Sequence, residues 1–316
     1  MQPAKCRIRL IAPSCTEIPE DTMKIFISGG TGFVGGHLSR ELLGRGHELK
    51  LLTHQRRQAT DGIEQIEGDV TKPETFEEAV RDCDAVINLV GIIREFPGRN
   101  ITFRKLHIQS TDNMLVAARK AGVRRYLQMS ALGTRADSVS DYHKTKWQAE
   151  ELVRNSGLEW TIFRPSLIFG PKDAFINMLA AQLKLAPIIP VIGSGSYRLQ
   201  PIHADDVARC FALALEMPGT AGQTYELCGS DRMSYEELLD EVAAALGRSR
   251  PFKPHAPLGL MKLIIPVMQN IPQFPITMDQ LQMLLEESVC DGAWQKTFGF
   301  KPLGFKEGIG KYLHKT

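Results

Sequence analysis

The sequence has no C-x-x-C pair, no block of one charge sign, no internal repeat and no low-complexity tract. Each absence excludes something. Six scattered cysteines (Cys6, Cys15, Cys83, Cys210, Cys228, Cys290) suit a reducing compartment and offer no metal site. Lys and Arg total 38 against 36 Asp and Glu, a net charge of +2, and without a basic block no nucleic-acid partner is expected. The first 22 residues lack a signal-peptide core, and Glu17, Glu20 and Asp21 argue against a transit peptide. They read as an N-terminal extension (1–22) before Met23, and a cytoplasmic location follows. Disorder is also excluded, because 43% hydrophobic residues support a large core.

What is present is organised around residues 24–36. A β-prone run, Lys24-Ile-Phe-Ile-Ser28, leads into Gly29-Gly30-Thr31-Gly32-Phe33-Val34-Gly35-Gly36, and a helical pattern follows through Leu38, Leu42 and Leu43. A helix N-terminus offers free N–H groups and a positive dipole end to a pyrophosphate. Glycines allow the close approach that a side chain would block. The spacing Gly29-x-x-Gly32-x-x-Gly35 between strand and helix therefore points to dinucleotide binding, with Thr31, Phe33 and Val34 also lining the turn.

Strands are expected at 48–53, 63–67, 84–91, 125–130 and 160–164. Helices are expected from Pro73, over 101–121 and over 141–155. This alternation predicts an α/β, Rossmann-type doubly wound parallel sheet over 23–165. Residues 166–316, with helices at 173–185, 204–216 and 234–246, read mainly as a smaller C-terminal substrate lobe, with segments returning to the core. Ser234-x-x-Glu237 is a capping box. Asp205 and Asp206 read as helix caps, Asp173 as an N-cap and His107 as a satisfied helix histidine. His203 could contact substrate, and Arg164 is either a substrate contact or a packed structural arginine.

Tyr142-x-x-x-Lys146 sets a phenol and an ammonium on one helix face. A nearby cation is expected to lower the phenol's pKa, so that it can exchange a proton with a substrate oxygen. Ser130 stands at a strand's C-terminal end, where open α/β sheets bind ligands. The end of the second strand reads Thr53-His54-Gln55-Arg56-Arg57, with no carboxylate for a ribose 2′-hydroxyl and two guanidiniums able to pair a 2′-phosphate. NADP(H) is therefore expected over NAD(H), although both arginines could equally solvate a loop.

These stretches, with GDV (68–70), VINLVG (86–91), QMSALG (128–133), YHKTK (142–146), FRPSLIFGPKD (163–173) and QPIHADDVA (200–208), resemble the short-chain dehydrogenase/reductase superfamily, extended or atypical branch. They resemble in particular the subgroup related to the nucleotide-binding accessory subunit of respiratory complex I. The resemblance implies that Gly29, Gly32 and Gly35 form the phosphate turn, with Asp69 and Val70 beside the adenine. It places Val90 and Gly91 by the ribose and pyrophosphate, and Pro165 and Ser166 beside the nicotinamide. Tyr142 and Lys146 would be the acid/base pair, Lys146 also holding the ribose, with Ser130 as the polarising hydroxyl. Two departures stand out. Ser130 and Tyr142 are only twelve residues apart, and His107 replaces the family's asparagine.

Two function classes follow: an NAD(P)-dependent oxidoreductase or epimerase/dehydratase acting on a small molecule, and a non-catalytic NADP(H)-binding accessory or sensor protein on a respiratory or quinone-related membrane assembly. The stretch 257–275 is apolar but carries four prolines and Lys262, which disfavours a membrane span. Packing onto the substrate lobe, contact with a lipophilic substrate, and peripheral contact with the inner face of a membrane all accommodate it. A homo-oligomer is compatible with the sequence.

Overall fold

The computed structural model describes residues 22–313, except 56, 57, 59, 270, 272, 273 and 275. The N-terminal extension, save Thr22, and Arg56 and Arg57 therefore lie outside the described residues. The first six strands are β1 (Lys24–Ser28), β2 (Glu48–Thr53), β3 (Ile63–Glu67), β4 (Ala85–Asn88), β5 (Arg125–Met129) and β6 (Glu159–Pro165). A seventh, Gln223–Leu227, lies beyond β6. All are parallel, in the order seventh strand, β6, β5, β4, β1, β2, β3. The expected doubly wound sheet is what forms. β4 is wholly buried, as a parallel strand covered on both faces must be.

Helix α1 (Phe33–Gly44) packs through Val34, Leu38 and Leu42 on one face of the sheet, beside Val207, Ala208 and Phe211 of α5 (Ala204–Glu216). The other face is covered by Met114, Leu115 and Ala118 of α2 (Ser110–Ala121), Val153 of α3 (Asp141–Arg154), and Phe76 and Val80. A separate core joins α4 (Phe175–Leu185), α6 (Tyr235–Ala245) and the helix Phe305–Gly310 through Ile176, Leu238, Tyr235 and Phe305. Beyond α6 lie α7 (Leu258–Met268), with Pro266 inside it, and α8 (Met278–Leu285). Among the described residues no helix is long and apolar enough to cross a membrane.

Several local expectations are corrected. The helix expected from Pro73 is a pair of 3-10 turns, Pro73–Thr75 and Glu77–Val80, because Phe76 leaves helical geometry to enter the core. The helix over 101–121 begins with a π-helical segment, Arg104–Gln109, before α2. Asp205 and Asp206 do not cap α5. His203 does, its ring accepting the Asp205 N–H at 3.2 Å. Asp205 instead meets His37 at 2.5 Å, and Asp206 accepts the Leu303 N–H at 2.8 Å, tying α5 to the C-terminal segment. Cys228 and Cys290 form a disulfide with a Cα–Cα distance of 6.0 Å, so the scatter of cysteines along the chain hid a pair. Cys83 and Cys210 are buried free thiols.

Other expectations hold. The Ser234/Glu237 capping box is complete. Asp173 accepts the Ile176 N–H at 2.6 Å and so caps α4. Arg164 is a packed structural arginine: it bonds Glu150 through Nε at 2.9 Å and Nη2 at 2.7 Å, and Glu150 is fully buried. Removing one partner of a buried ion pair strands the other charge. Arg164→Met is therefore expected to lower unfolding free energy by about 3 kcal/mol in urea titration, since Arg154 alone remains to serve Glu150.

Candidate functional site

Strand order reverses between β1 and β4, and there the glycine turn faces the segment Leu89–Gly91. Open α/β sheets leave a crevice at such a point. Gly29 adopts φ +75°, and a Cβ there would lie 3.0 Å from the Leu89 carbonyl carbon. A Cβ at Gly35 would overlap the carbonyl oxygens of both Gly29 and Gly30, so only glycine lets α1 sit this close to the turn. The first turn of α1 carries no acid, so its N–H groups and dipole are free to receive an anion. These features fit the pyrophosphate of a dinucleotide.

A buried polar hub sits beneath the crevice. Asn88, at the end of β4, accepts from Ser28 Oγ at 2.8 Å and from the Val90 N–H at 3.1 Å. Its amide donates to Thr111 Oγ1 and to Gln128 Oε1, both at 3.2 Å. Three strand ends and α2 are thereby held in one arrangement, and the Val90–Gly91 backbone is fixed. Asp69 organises the next edge, its carboxylate accepting from the Thr71 N–H at 2.9 Å and hydroxyl at 2.8 Å. Asn113 bonds the carbonyl of the buried Val70 at 3.0 Å. His54 follows β2 and is exposed.

Lys146 is buried and donates to the Met129 carbonyl at 3.1 Å. A Cβ on Gly91 would stand 3.0 Å from its Nζ, so the glycine makes room for the ammonium. Tyr142 is buried against His107 and Phe103, with ring centroids 5.3 and 5.8 Å apart. His107 is satisfied as expected, with Nδ1 2.9 Å from Thr145 Oγ1 and Nε2 3.1 Å from the Ile92 carbonyl. Burial first, and then the Lys146 charge, hold it well below the usual imidazole range, so it is neutral. Ser130 Oγ lies 3.4 Å from Thr134 Oγ1. Pro165 ends β6, and Ser166 Oγ donates to the Gln200 carbonyl at 2.5 Å.

The expected lowering of the Tyr142 pKa is not found. Burial pushes the phenol up to about 12. Burial also pulls the Lys146 ammonium down to about 8, against the pull of Glu150. Four-residue spacing put both groups on one helix face, but burial is the larger influence on each.

Three contacts escaped the sequence because their partners are far apart in the chain. Asp279 of α8 accepts the Asp141 N–H at 2.8 Å and the Ser140 hydroxyl at 3.2 Å, capping the helix that carries Tyr142. Glu286 pairs with Arg135 at 2.9 and 3.0 Å and lies 3.4 Å from His143. Arg94, on the loop after β4, donates to the carbonyls of Gln269, Ile271 and Phe274. The α7–α8 segment is thus clamped to both loops flanking Tyr142. No local pattern signals such pairs.

Sheet order, glycine turn and crevice define an α/β dinucleotide-binding protein. The chain belongs to the NAD dependent epimerase/dehydratase family, whose profile matches residues 25–228. It is 30% identical over 270 residues to the mitochondrial NADH dehydrogenase [ubiquinone] 1 alpha subcomplex subunit 9 of Arabidopsis thaliana, covering 81% of this chain and 66% of that protein. It therefore spans just under two thirds of that relative. It is 27% identical to the 2-alkyl-3-oxoalkanoate reductase of Stenotrophomonas maltophilia, over 91% of this chain and 97% of the reductase. The NAD complex of Thermus thermophilus UDP-glucose 4-epimerase shares the fold at TM-score 0.70 and 23% identity, covering 91% of this chain and 97% of the epimerase chain.

Gly35→Ala places a methyl group against two backbone carbonyls that cannot yield. It is expected to lower stability by at least about 2 kcal/mol and to abolish dinucleotide binding, read by urea unfolding and by calorimetric titration.

Proposed function

We propose that the protein is an NAD(P)-dependent oxidoreductase acting at a carbonyl or hydroxyl carbon, with Tyr142 and Lys146 as its acid/base pair. The observation that carries this reading is the burial of Tyr142 and, one helical turn on, of Lys146, whose Nζ lies beside Gly91 at the sheet's switch point. When bound, the nicotinamide dinucleotide supplies hydride transfer. The chain's residues do the rest. Gly29, Thr31, Gly32, Phe33, Val34 and Gly35 hold the pyrophosphate, and Asp69 and Val70 border the adenine. Val90, Gly91, Pro165 and Ser166 border the ribose and nicotinamide.

Lys146 holds a ribose hydroxyl from its buried position beside Gly91. Tyr142 moves a proton at the substrate oxygen, and Ser130 polarises that oxygen. Phe103 and His107 keep water from the phenol. Burial makes the phenol hold its proton firmly, which suits donation to a carbonyl oxygen, the reductive direction. Residues 23–165 serve as the dinucleotide-binding core and 166–316 mainly as the substrate lobe.

Ile93, Phe96 and Val139 are exposed on the loops flanking Tyr142, which favours a lipophilic substrate. The similarity to the alkyl-oxoalkanoate reductase over nearly both full lengths supports the same class. A second reading, a non-catalytic nucleotide-binding accessory protein of a respiratory assembly, rests on the similarity to the Arabidopsis subunit.

Turnover of a medium- and long-chain ketone panel with NADPH separates the two. Tyr142→Phe is expected to keep the fold and nucleotide affinity and to lose turnover by about 100-fold or more. Lys146→Met is expected to weaken both. Lys146 is charged below about pH 8 and neutral above it, so kcat/KM is expected to fall as pH rises through that value. A substrate converted equally well by Tyr142→Phe overturns the catalytic reading.

NADP(H) is the preferred cofactor in this proposal, through Arg56 and Arg57. An Arg56→Ala/Arg57→Ala double variant is expected to lose about tenfold or more of its NADPH affinity while NADH affinity holds, since a bidentate phosphate pair is removed. Equal wild-type dissociation constants for the two nucleotides would refute it.

A further inference from the structure

Two segments of the C-terminal half, 174–204 and 242–278, contain no aspartate or glutamate. They meet at one surface. The Phe252 N–H donates to the Pro187 carbonyl at 2.8 Å, and the Ile189 N–H to the Phe252 carbonyl at 3.0 Å. Arg248 donates to the Lys184 carbonyl at 3.0 Å. This brings exposed apolar side chains together with basic ones: Leu185 is 89% exposed, Phe252 68% and Ile188 51%. The chain then pairs His255–Ala256 with Val191–Ile192 and enters α7, where Leu263 and Val267 are each 74% exposed and Leu260 51%. Only Ile265 of α7 is buried.

Cations outnumber carboxylates here, with Lys184, Arg248, Arg250, Lys253 and Lys262 against Asp240 and Glu236. Nearby Asp240 is taken up by Lys253 at 2.8 Å and Arg250 at 3.7 Å, and Glu236 by His255 at 2.8 Å. Among the described residues no carboxylate pairs with Lys184, Arg248 or Lys262. The whole chain is nearly neutral, so this is a local concentration of charge.

We propose that this face docks on an anionic lipid bilayer surface, with Leu185, Phe252, Leu263 and Val267 entering the interface and Lys184, Arg248 and Lys262 meeting lipid phosphates. Large exposed apolar side chains beside unpaired cations are what an interfacial surface requires. α7 is too short to span a bilayer, so the contact is peripheral. The Arg94 clamp on the α7–α8 connection holds this face against the loop after β4. The surface is independent of the proposed chemistry, and either can fail alone.

Flotation of the full chain with vesicles tests it. Equal parts phosphatidylcholine and phosphatidylglycerol are expected to bind at least about tenfold more protein than phosphatidylcholine alone, and added salt is expected to reduce the difference. Leu263→Glu/Val267→Glu, on residues already exposed, should keep the melting temperature and nucleotide affinity and lose the binding by about tenfold or more. Lys184→Gln/Lys262→Gln should lose the preference for anionic vesicles. A folded, monomeric wild type that does not bind the anionic vesicles overturns the proposal. So does a dimer in light scattering that Leu263→Glu/Val267→Glu dissociates, because the face would then be covered by a second copy.

Discussion

The site depends on the close approach of α1 to the turn that follows β1. With Gly35 seated over the carbonyls of Gly29 and Gly30, the helix N-terminus points into the crevice instead of standing away from the sheet. That placement has an anionic ligand to receive only because β1 pairs with β2 on one side and β4 on the other. The reversal of strand order opens the sheet's end at that point. Asn88 then converts an open end into a defined one by bonding to Ser28, Val90, Thr111 and Gln128. A buried network with its members satisfied is rigid, which suits a site that must hold a large ligand in one register.

The second tier of organisation is polar and long-range. α3 brings no side-chain cap of its own and takes one from Asp279, at the start of α8. Glu286, just past the end of α8, grips Arg135 on the loop before Tyr142. The small lobe thus determines the end of the helix that carries the proposed acid/base pair. This arrangement joins the C-terminal half of the chain to the start of the helix that carries Tyr142. The short loop between Ser130 and Tyr142 is held at Arg135 by Glu286 and at Ser140 by Asp279.

The electrostatics run against simple expectation for the same reason that the fold holds. Tyr142 and Lys146 sit in a dry environment, so each resists its charged form: the phenol rises to about 12 and the ammonium falls to about 8. In such surroundings electrostatic interactions are screened less than in water.

Local pattern in the sequence determined the elements and their order. The alternation of apolar runs and amphipathic stretches placed β1, β2 and β3 at their observed bounds. Gly29-x-x-Gly32-x-x-Gly35 located the turn between β1 and α1, and Ser234 with Glu237 located a capped helix start. These were legible because each rests on neighbours within one or two turns of chain. The tertiary structure decided what rests on distant partners: the Asn88 hub, the cap from Asp279, the assignment of Asp205 and Asp206 to His37 and Leu303, the Cys228–Cys290 bond and the burial that moves Tyr142. It also decided that the apolar residues of α7 face outward, since periodicity alone cannot say which side of a helix finds a neighbour. Hydrogen bonding and desolvation depend on which atoms come together in space, and spacing along the chain carries that information only where the backbone itself keeps them close.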